Sequence, residues 1–188
     1  MERHYRLMYR LGITPWDRRD PPAPLKRLIE GPAASPAGIA LDIGCGTGKD
    51  AAYLAGHGWN VTAIDVSGIA IDRARARSTA VHWHVADLTA PSATAVLSNL
   101  TNLVTLIVDV GCLPGLNERG RSRWGEIVNL VAAPGAHLVT RNVARRASRS
   151  LGPVGLGPQE LQTILGPRWT TPASADPDPG WQVFRVSR

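Results

Sequence analysis

Residues 41–50 read LDIGCGTGKD, an apolar run that passes through Asp42 and Ile43 into three glycines, Gly44, Gly46 and Gly48, at alternate positions before Lys49. Glycines placed between a strand and a helix let the backbone come close to a ligand, so the neighbouring residues must say which ligand. A phosphate loop needs GxxxxGK followed by Ser or Thr, whose hydroxyl binds magnesium. Here Ile43 stands at the first glycine position and Asp50 follows the lysine. The dinucleotide pattern GxGxxG accepts Gly44 and Gly46, but Lys49 takes its last position and Gly48 arrives too early. The acids discriminate further. Asp42 stands just before Gly44, where its charge would repel a pyrophosphate and attract an ammonium or a sulfonium. Asp65 closes the next apolar run, 21 residues after Gly44, where a carboxylate can accept both hydroxyls of a ribose. Taken alone, Asp42 could be a loop-bracing or helix-capping carboxylate. Taken with Asp65, it asks for a nucleoside with a positive centre and no phosphate.

To bring those residues together the chain must alternate strands and helices. Apolar runs at 38–43, 60–65, 81–85, 103–110, 136–141, 169–171 and 181–186 read as strands. Helical stretches at 49–55, 67–77, 91–100, 118–131 and 158–165 separate them, with Ser67 as an N-cap, Pro134-Gly135 as the stop after the fourth stretch and Pro158 at a first helical position. This alternation predicts an α/β fold, a seven-stranded, mostly parallel sheet with helices on both faces. The last two strands are joined by TTPASADPDPG, which has no helical period, so the final strand is expected to return antiparallel near the C-terminal edge. Ahead of the sheet, residues 2–11 predict a short amphipathic helix, ITPWDRRDPPAP a proline-rich loop and residues 25–30 another helical turn or two. A length of 188 residues suits one domain, divided into an N-terminal cap segment, 1–36, and a core, 37–188.

The net charge of +6 raises nucleic acid as a partner. All the basic residues except Lys26 and Lys49 are arginine, and Ala, Gly and Pro are abundant, a bias that GC-rich coding produces whatever the protein does. The arginines are scattered and not interleaved with aromatics, which argues against a nucleic-acid surface, although their field could favour an anionic small molecule. Cys45 and Cys112 form no metal-ligand spacing and read as free thiols of a reducing compartment. The charged N-terminus does not read as a signal peptide, and no apolar run approaches the ~18 residues of a membrane span. A soluble, cytoplasmic protein is expected, with no membrane partner. His82 and His84 share one face of a strand around Trp83, but no third ligand is evident and no metal site is expected.

With LDIGCGTGKD and the order of its elements, the chain resembles the class I S-adenosylmethionine-dependent methyltransferases over about residues 37–141. That resemblance implies a Rossmann-like seven-stranded sheet with one antiparallel strand near the C-terminal edge. S-adenosylmethionine is also the ribose-bearing, phosphate-free cation that Asp42 and Asp65 ask for. The resemblance implies that Gly44, Cys45, Gly46, Thr47 and Gly48 approach its methionine part, with Asp42 nearby. Asp65 and Val66 would receive the ribose and the adenine edge, and Asp87 with Leu88 would flank the adenine, unless Asp87 caps the helix near Pro91. Ligands of doubly wound sheets lie where the strand order reverses, so Asp109 and Cys112, after the fourth strand, should face the transferring methyl group. Asp109 could instead only hold the methionine amino group.

Nucleobase N-methyltransferases carry Asn or Asp, two prolines and an aromatic at that strand end, and Asp109-Val110-Gly111-Cys112 argues against that activity. The stretch DVGCLPGLNERGRSRWGEI is similar to the thiopurine and thiol or halide methyltransferase group, as are YRLMYRLGITPWD and, more weakly, GPVGLGPQELQTILGPRW. This likeness implies that Trp16 packs over the cofactor and that the helix with Tyr5, Met8 and Tyr9 forms part of a lid. Tyr5, Cys112 and Arg141 would then border a small-molecule methyl acceptor. Related small sequences have a histidine after the Gly-Cys pair, where this chain has Leu113-Pro114. Either the acceptor needs no base, as an ionised thiol or a halide would not, or Asp109, Tyr9 or His4 serves. The expected activity is methyl transfer from S-adenosylmethionine to a thiol or another soft nucleophile. The alternatives are an O- or N-methyltransferase of a specialised metabolite and a non-catalytic S-adenosylmethionine-binding protein.

Overall fold

The computed structural model of the chain describes residues 2–14, 17, 20–141, 155–170 and 180–187, with the backbone alone for residues 2–6 and Pro158. Seven strands form one sheet: β1 (Ile39–Ile43), β2 (Asn60–Asp65), β3 (Val81–Val85), β4 (Val104–Val110), β5 (Ala132–Arg141), β6 (Trp169–Thr170) and β7 (Trp181–Val186). Their spatial order is β3-β2-β1-β4-β5-β7-β6. The β1–β2, β1–β4, β2–β3 and β4–β5 pairs are parallel, whereas β7 runs antiparallel to both β5 and β6. The expected antiparallel strand is thus present, inserted between β5 and the edge strand.

The helices are α1 (Glu2–Leu11), α2 (Ala23–Glu30), α3 (Lys49–Gly56), α4 (Gly68–Arg77), α5 (Pro91–Leu97), α6 (Glu118–Val131) and α7 (Pro158–Leu165), and a 3-10 turn at Ser98–Leu100 extends α5. Ser67 caps α4, its Oγ accepting from Ala70 N at 3.4 Å, and Asn117 caps α6, its side chain accepting from Gly120 N at 2.9 Å. Strand alternation divides the core. Leu41 and Ile43 of β1 join a cluster with Ile107, Leu138, Trp124, Leu161 and Phe184 beneath α5, α6 and α7. Ala40 of the same strand joins Val61, Val108, Val139, Leu54 and Leu25 beneath α2, α3 and α4. Strands covered on both faces are apolar on both, which is why they stood out as continuous runs in the sequence.

α6 ends at Val131 as expected, but β5 begins at Ala132 where a start at 136 was expected. Pro134-Gly135 therefore lies within β5 and does not separate it from α6. Val104 pairs with Ala132 but Leu106 pairs with His137, so the extra residues of β5, including Pro134 and Gly135 at φ +76°, bulge out of the ladder. A residue without an N–H and one that tolerates positive φ are the types such a bulge accommodates.

Gly125 of α6 tests the contact between α6 and α7, because a methyl group there would come within 2.6 Å of Ile164 O and 2.8 Å of Ile164 Cγ2. Helix propensity alone would make Gly125→Ala stabilising by about 1 kcal/mol. Overpacking against the α7 backbone outweighs it, so urea unfolding of Gly125→Ala should show a net loss of about 1–3 kcal/mol.

Candidate functional site

The strand order turns back between β1 and β4, and the glycine loop leaves β1 at that point. Gly44 N and Cys45 N both donate to Ile64 O, at 2.9 and 3.0 Å, so the loop begins by leaning on β2. Gly44, Gly46 and Gly48 have φ of 68°, 54° and 74°. Each also lacks space for a side chain: a methyl group would meet Cys112 Cβ at 2.6 Å from Gly44, Tyr9 Oη at 2.7 Å from Gly46 and the Trp83 ring at 2.3 Å from Gly48. The glycines are therefore required by conformation and by close packing together.

Three carboxylates stand at the ends of three neighbouring strands. Asp65, at the end of β2, accepts from Gly46 N at 2.9 Å and from Ser67 N at 2.8 Å, which ties the glycine loop to the start of α4. Burial raises its pKa, and those two N–H donors oppose the rise. Asp109, near the end of β4, is fully buried; it accepts from Cys112 N at 2.9 Å, from Leu113 N at 3.1 Å and from Trp124 Nε1 of α6 at 2.7 Å. Burial pushes it up to about 7 despite these donors. Asp42 is 2 % exposed, and its Oδ2 has no hydrogen-bond partner among the described residues. Burial pushes Asp42 well above the usual carboxylate range, and the charges of Asp50, Asp109 and Asp65 add to the shift.

The N-terminal segment is fastened to the same loop. Thr47 Oγ1 donates to the Asp17 carboxylate, 3.1 Å from each oxygen, and Lys49 Nζ lies 2.9 Å from Asp17 Oδ1. Arg73 donates to the Tyr9 carbonyl at 3.0 Å, and Arg77 Nε to the Thr47 carbonyl at 3.0 Å. Asp17 was present in the TPWD stretch but carries no sequence signal that would pair it with Thr47. Trp83 over Gly48 and Trp124 on Asp109 are likewise long-range contacts without a local signature.

The other residues singled out from the sequence fall as follows. Cys112 packs on Gly44 through its Cβ and Sγ, and both cysteines are free thiols whose pKa burial raises. Val66 lies half-buried between β2 and α4. Asp87 accepts from Thr89 N at 2.8 Å and Thr89 Oγ1 at 2.7 Å, while the N-cap of α5 is Ala90; capping that helix is not the part Asp87 takes. Leu88 points into the core. Tyr9 is 4 % exposed and reaches the glycine loop. Arg141 is exposed at the end of β5, its guanidinium 5.9 Å from the centre of the Trp181 ring. His4 and Tyr5 lie on α1, but their side chains are outside the described residues, as is the whole of Trp16. Among the described residues no three His, Cys, Asp or Glu side chains are grouped to hold a metal, and no helix is long and apolar enough to cross a membrane.

This geometry suits a cationic nucleoside. The glycines present a cradle that any side chain would fill, and Asp42 offers a buried oxygen that still needs a cation or a donor. Residues 40–106 match the model of a methyltransferase domain. A 62-residue stretch, 33% of the chain, is 39% identical to "Probable thiol methyltransferase 2" of Arabidopsis thaliana, and spans only 27% of that relative's length. The N-methyltransferase NodS from Bradyrhizobium japonicum WM9, solved in complex with S-adenosylhomocysteine, is 26% identical with a TM-score of 0.68 over 95% of this chain and 91% of that one. The 1,6-didemethyltoxoflavin-N1-methyltransferase of Burkholderia thailandensis, 16% identical, shares the fold at a TM-score of 0.73 over 100% of this chain and 87% of that one. In fold and in the construction of its glycine cradle, the chain is similar to S-adenosylmethionine-dependent methyltransferases, and residues 40–106 carry the matching domain. Both of those structural neighbours were solved with S-adenosylhomocysteine bound.

Two measurements follow from the acids. Asp42→Asn keeps the shape and removes the charge, and calorimetry should show S-adenosylhomocysteine binding weakened about 10-fold or more, the loss of one charge-assisted contact; undiminished affinity would remove Asp42 from the cradle. Asp109 has a folded pKa of about 7, above the ordinary carboxylate value, so between roughly pH 4 and 7 the folded state holds a proton that the unfolded state has released. Its contribution is therefore favourable at low pH and is lost as pH rises through 7. Urea unfolding of the ligand-free protein should show stability falling across that window, less steeply in Asp109→Asn.

Proposed function

We propose that the chain transfers the methyl group of S-adenosylmethionine to a small-molecule thiol or another soft nucleophile, in a cytoplasmic setting that keeps Cys45 and Cys112 reduced. The observation that carries this reading is that, among the described residues, the end of β4 presents no free base. Asp109 is fully buried with N–H donors on both oxygens, and Leu113-Pro114 offer no proton chemistry. An acceptor here must arrive already nucleophilic. Thiols, with an ordinary pKa near ~8.5, supply a usable fraction of thiolate at neutral pH, whereas alcohols do not. The bound cofactor supplies an activated methyl on a sulfonium; as the thiolate lone pair forms the new S–C bond, the bond to the sulfonium breaks and S-adenosylhomocysteine leaves, the thiol proton having gone to solvent. Much of the rate then comes from alignment and exclusion of water.

In this reading Gly44, Cys45, Gly46, Thr47 and Gly48 hold the methionine part, with Asp42 toward its cationic end. Asp65 and Val66 take the ribose side, Asp87 and Leu88 border the adenine, and residues 1–36, with Tyr9 and Trp16, cap the cofactor. Asp109 acts as a positioning residue that shapes the turn at Gly111–Leu113. Cys112 and Arg141 border the acceptor. The partial likeness to the thiol methyltransferase supports the sulfur acceptor. A second reading, methylation of an amine or hydroxyl of a specialised metabolite, is supported by the likeness to the NodS N-methyltransferase. Turnover of any acceptor would dispose of the third reading, a non-catalytic binding protein.

The pH dependence separates these readings. With a series of thiols of different pKa, log kcat/KM should rise by about one unit per pH unit and level off at a pH that moves with the thiol. A break fixed near 7 for every acceptor would instead reveal Asp109 as a base and sink the proposal.

A further inference from the structure

Register partners carry two rows across the sheet on the face beneath α6. The inner row is Leu41, Ile107, Leu138 and Phe184, all buried and apolar. One step toward the carboxyl ends of the parallel strands, the row becomes Ile43, Asp109, Thr140 and Gln182. Asp109 has its donors. Thr140 is 0 % exposed with an unpartnered Oγ1, and beside it on β7 the Oε1 of Gln182 is also buried and unpartnered. A buried polar atom without a partner is costly, and Val and Met would fill the same volumes without that cost. Two such atoms side by side, at the edge of the sheet that carries the site, imply a partner that the described residues do not provide.

The position suggests which partner. Strands lie ~4.8 Å apart, so Thr140 stands about 10 Å, and Gln182 about 15 Å, from Ile43, the residue before Gly44. The nucleoside side of the site runs the other way, toward Asp65 on β2. We propose that Thr140 and Gln182 form the hydrogen-bonding wall of the acceptor pocket, and that the acceptor carries a hydrogen-bond donor, a hydroxyl or an amino group, besides its nucleophilic atom. The inference rests on the methyltransferase reading above. The amide oxygen can only accept, and the threonine hydroxyl, which can also donate, makes no bond to it, so a donor on the ligand is what would satisfy the pair. A bare halide offers no such donor.

The test uses isosteric pairs, 3-mercaptopropanol against butanethiol and 3-aminopropanol against butylamine, with release of S-adenosylhomocysteine as the readout. The hydroxyl-bearing member should be favoured by about 10-fold or more in kcat/KM, because an acceptor lacking the donor leaves the buried atoms unpaired. In the Thr140→Val, Gln182→Met double variant the ratio should fall toward one through KM, with the Kd for S-adenosylhomocysteine unchanged. Ligand-free Thr140→Val should melt about 2–6 °C higher than the parent, since an unpaired buried hydroxyl has gone. No preference in the parent, a preference that survives in the double variant, or a melting temperature that is unchanged or lowered in Thr140→Val would each overturn the proposal. If neither pair turns over although S-adenosylhomocysteine binds, the small-acceptor reading fails, and the melting temperature of Thr140→Val decides this proposal alone.

Discussion

The site is organised around the cost of burying three carboxylates within a few strands of one another. Asp42, Asp65 and Asp109 sit on β1, β2 and β4; burial disfavours the charged form of each, and for Asp42 the charges of Asp50, Asp109 and Asp65 add to it. Hydrogen-bond donors offset part of that cost for Asp65 and Asp109. Asp65 takes N–H groups from the glycine loop and from the start of α4, and Asp109 takes them from the turn after β4 and from the indole of Trp124. The acids thereby shape the loops that surround the ligand. Asp42 has a bare oxygen, and a cation is what would complete it. A phosphate ligand would raise the electrostatic cost of all three acids; a sulfonium and an ammonium lower it. The choice of ligand is thus built into the core of the sheet as much as into the glycine loop.

The arginines that raise the net charge have specific structural work on α4. Arg73 and Arg77 donate to the carbonyls of Tyr9 and Thr47, and Arg75 to that of Trp83. Two of those bonds link the N-terminal segment and the glycine loop to α4, and Asp17 closes the circuit through Thr47 and Lys49. The guanidinium fork reaches carbonyls that α4 itself cannot cover.

Local signals made most of the fold legible. The apolar runs located the strands because both faces of the sheet are covered. Ser67 marked the start of α4, and the non-helical TTPASADPDPG announced the antiparallel return of β7. Pro134-Gly135 misled because the same residue types serve a helix stop and a strand bulge, and only the pairing of Val104 with Ala132 separates the two. The position of the glycine loop between β1 and α3, with Asp42 and Asp65 near the strand ends, was readable because glycines and apolar runs are local signals. The partners of those acids were not. The indole of Trp124 reaches Asp109 from 15 residues away and Asp17 meets Thr47 from 30 away, distances at which sequence periodicity carries no information. The unpaired state of Thr140 and Gln182 is a property of packing alone; as sequence they are ordinary strand residues.

The antiparallel strand bears on how an acceptor could be distinguished. Had β6 paired with β5 directly, Thr140 would have faced a two-residue strand, Trp169–Thr170, too short to carry a polar partner to the same register. Inserting the six residues of β7 places Gln182 opposite Thr140, Phe184 opposite Leu138 and Trp181 opposite Arg141. Strand alternation then sends these pairs to different sides: the polar pair beneath α6, the Arg141 guanidinium and the Trp181 ring to the face of α3 and α4. Two chemically different surfaces therefore meet at one sheet edge, a neutral hydrogen-bonding pair and a cation held against an aromatic ring. The cofactor side of the site is determined by charge. The β5–β7 side can discriminate by hydrogen bonding, where leaving a buried oxygen unpaired costs more than losing a contact in water, and such discrimination requires no base.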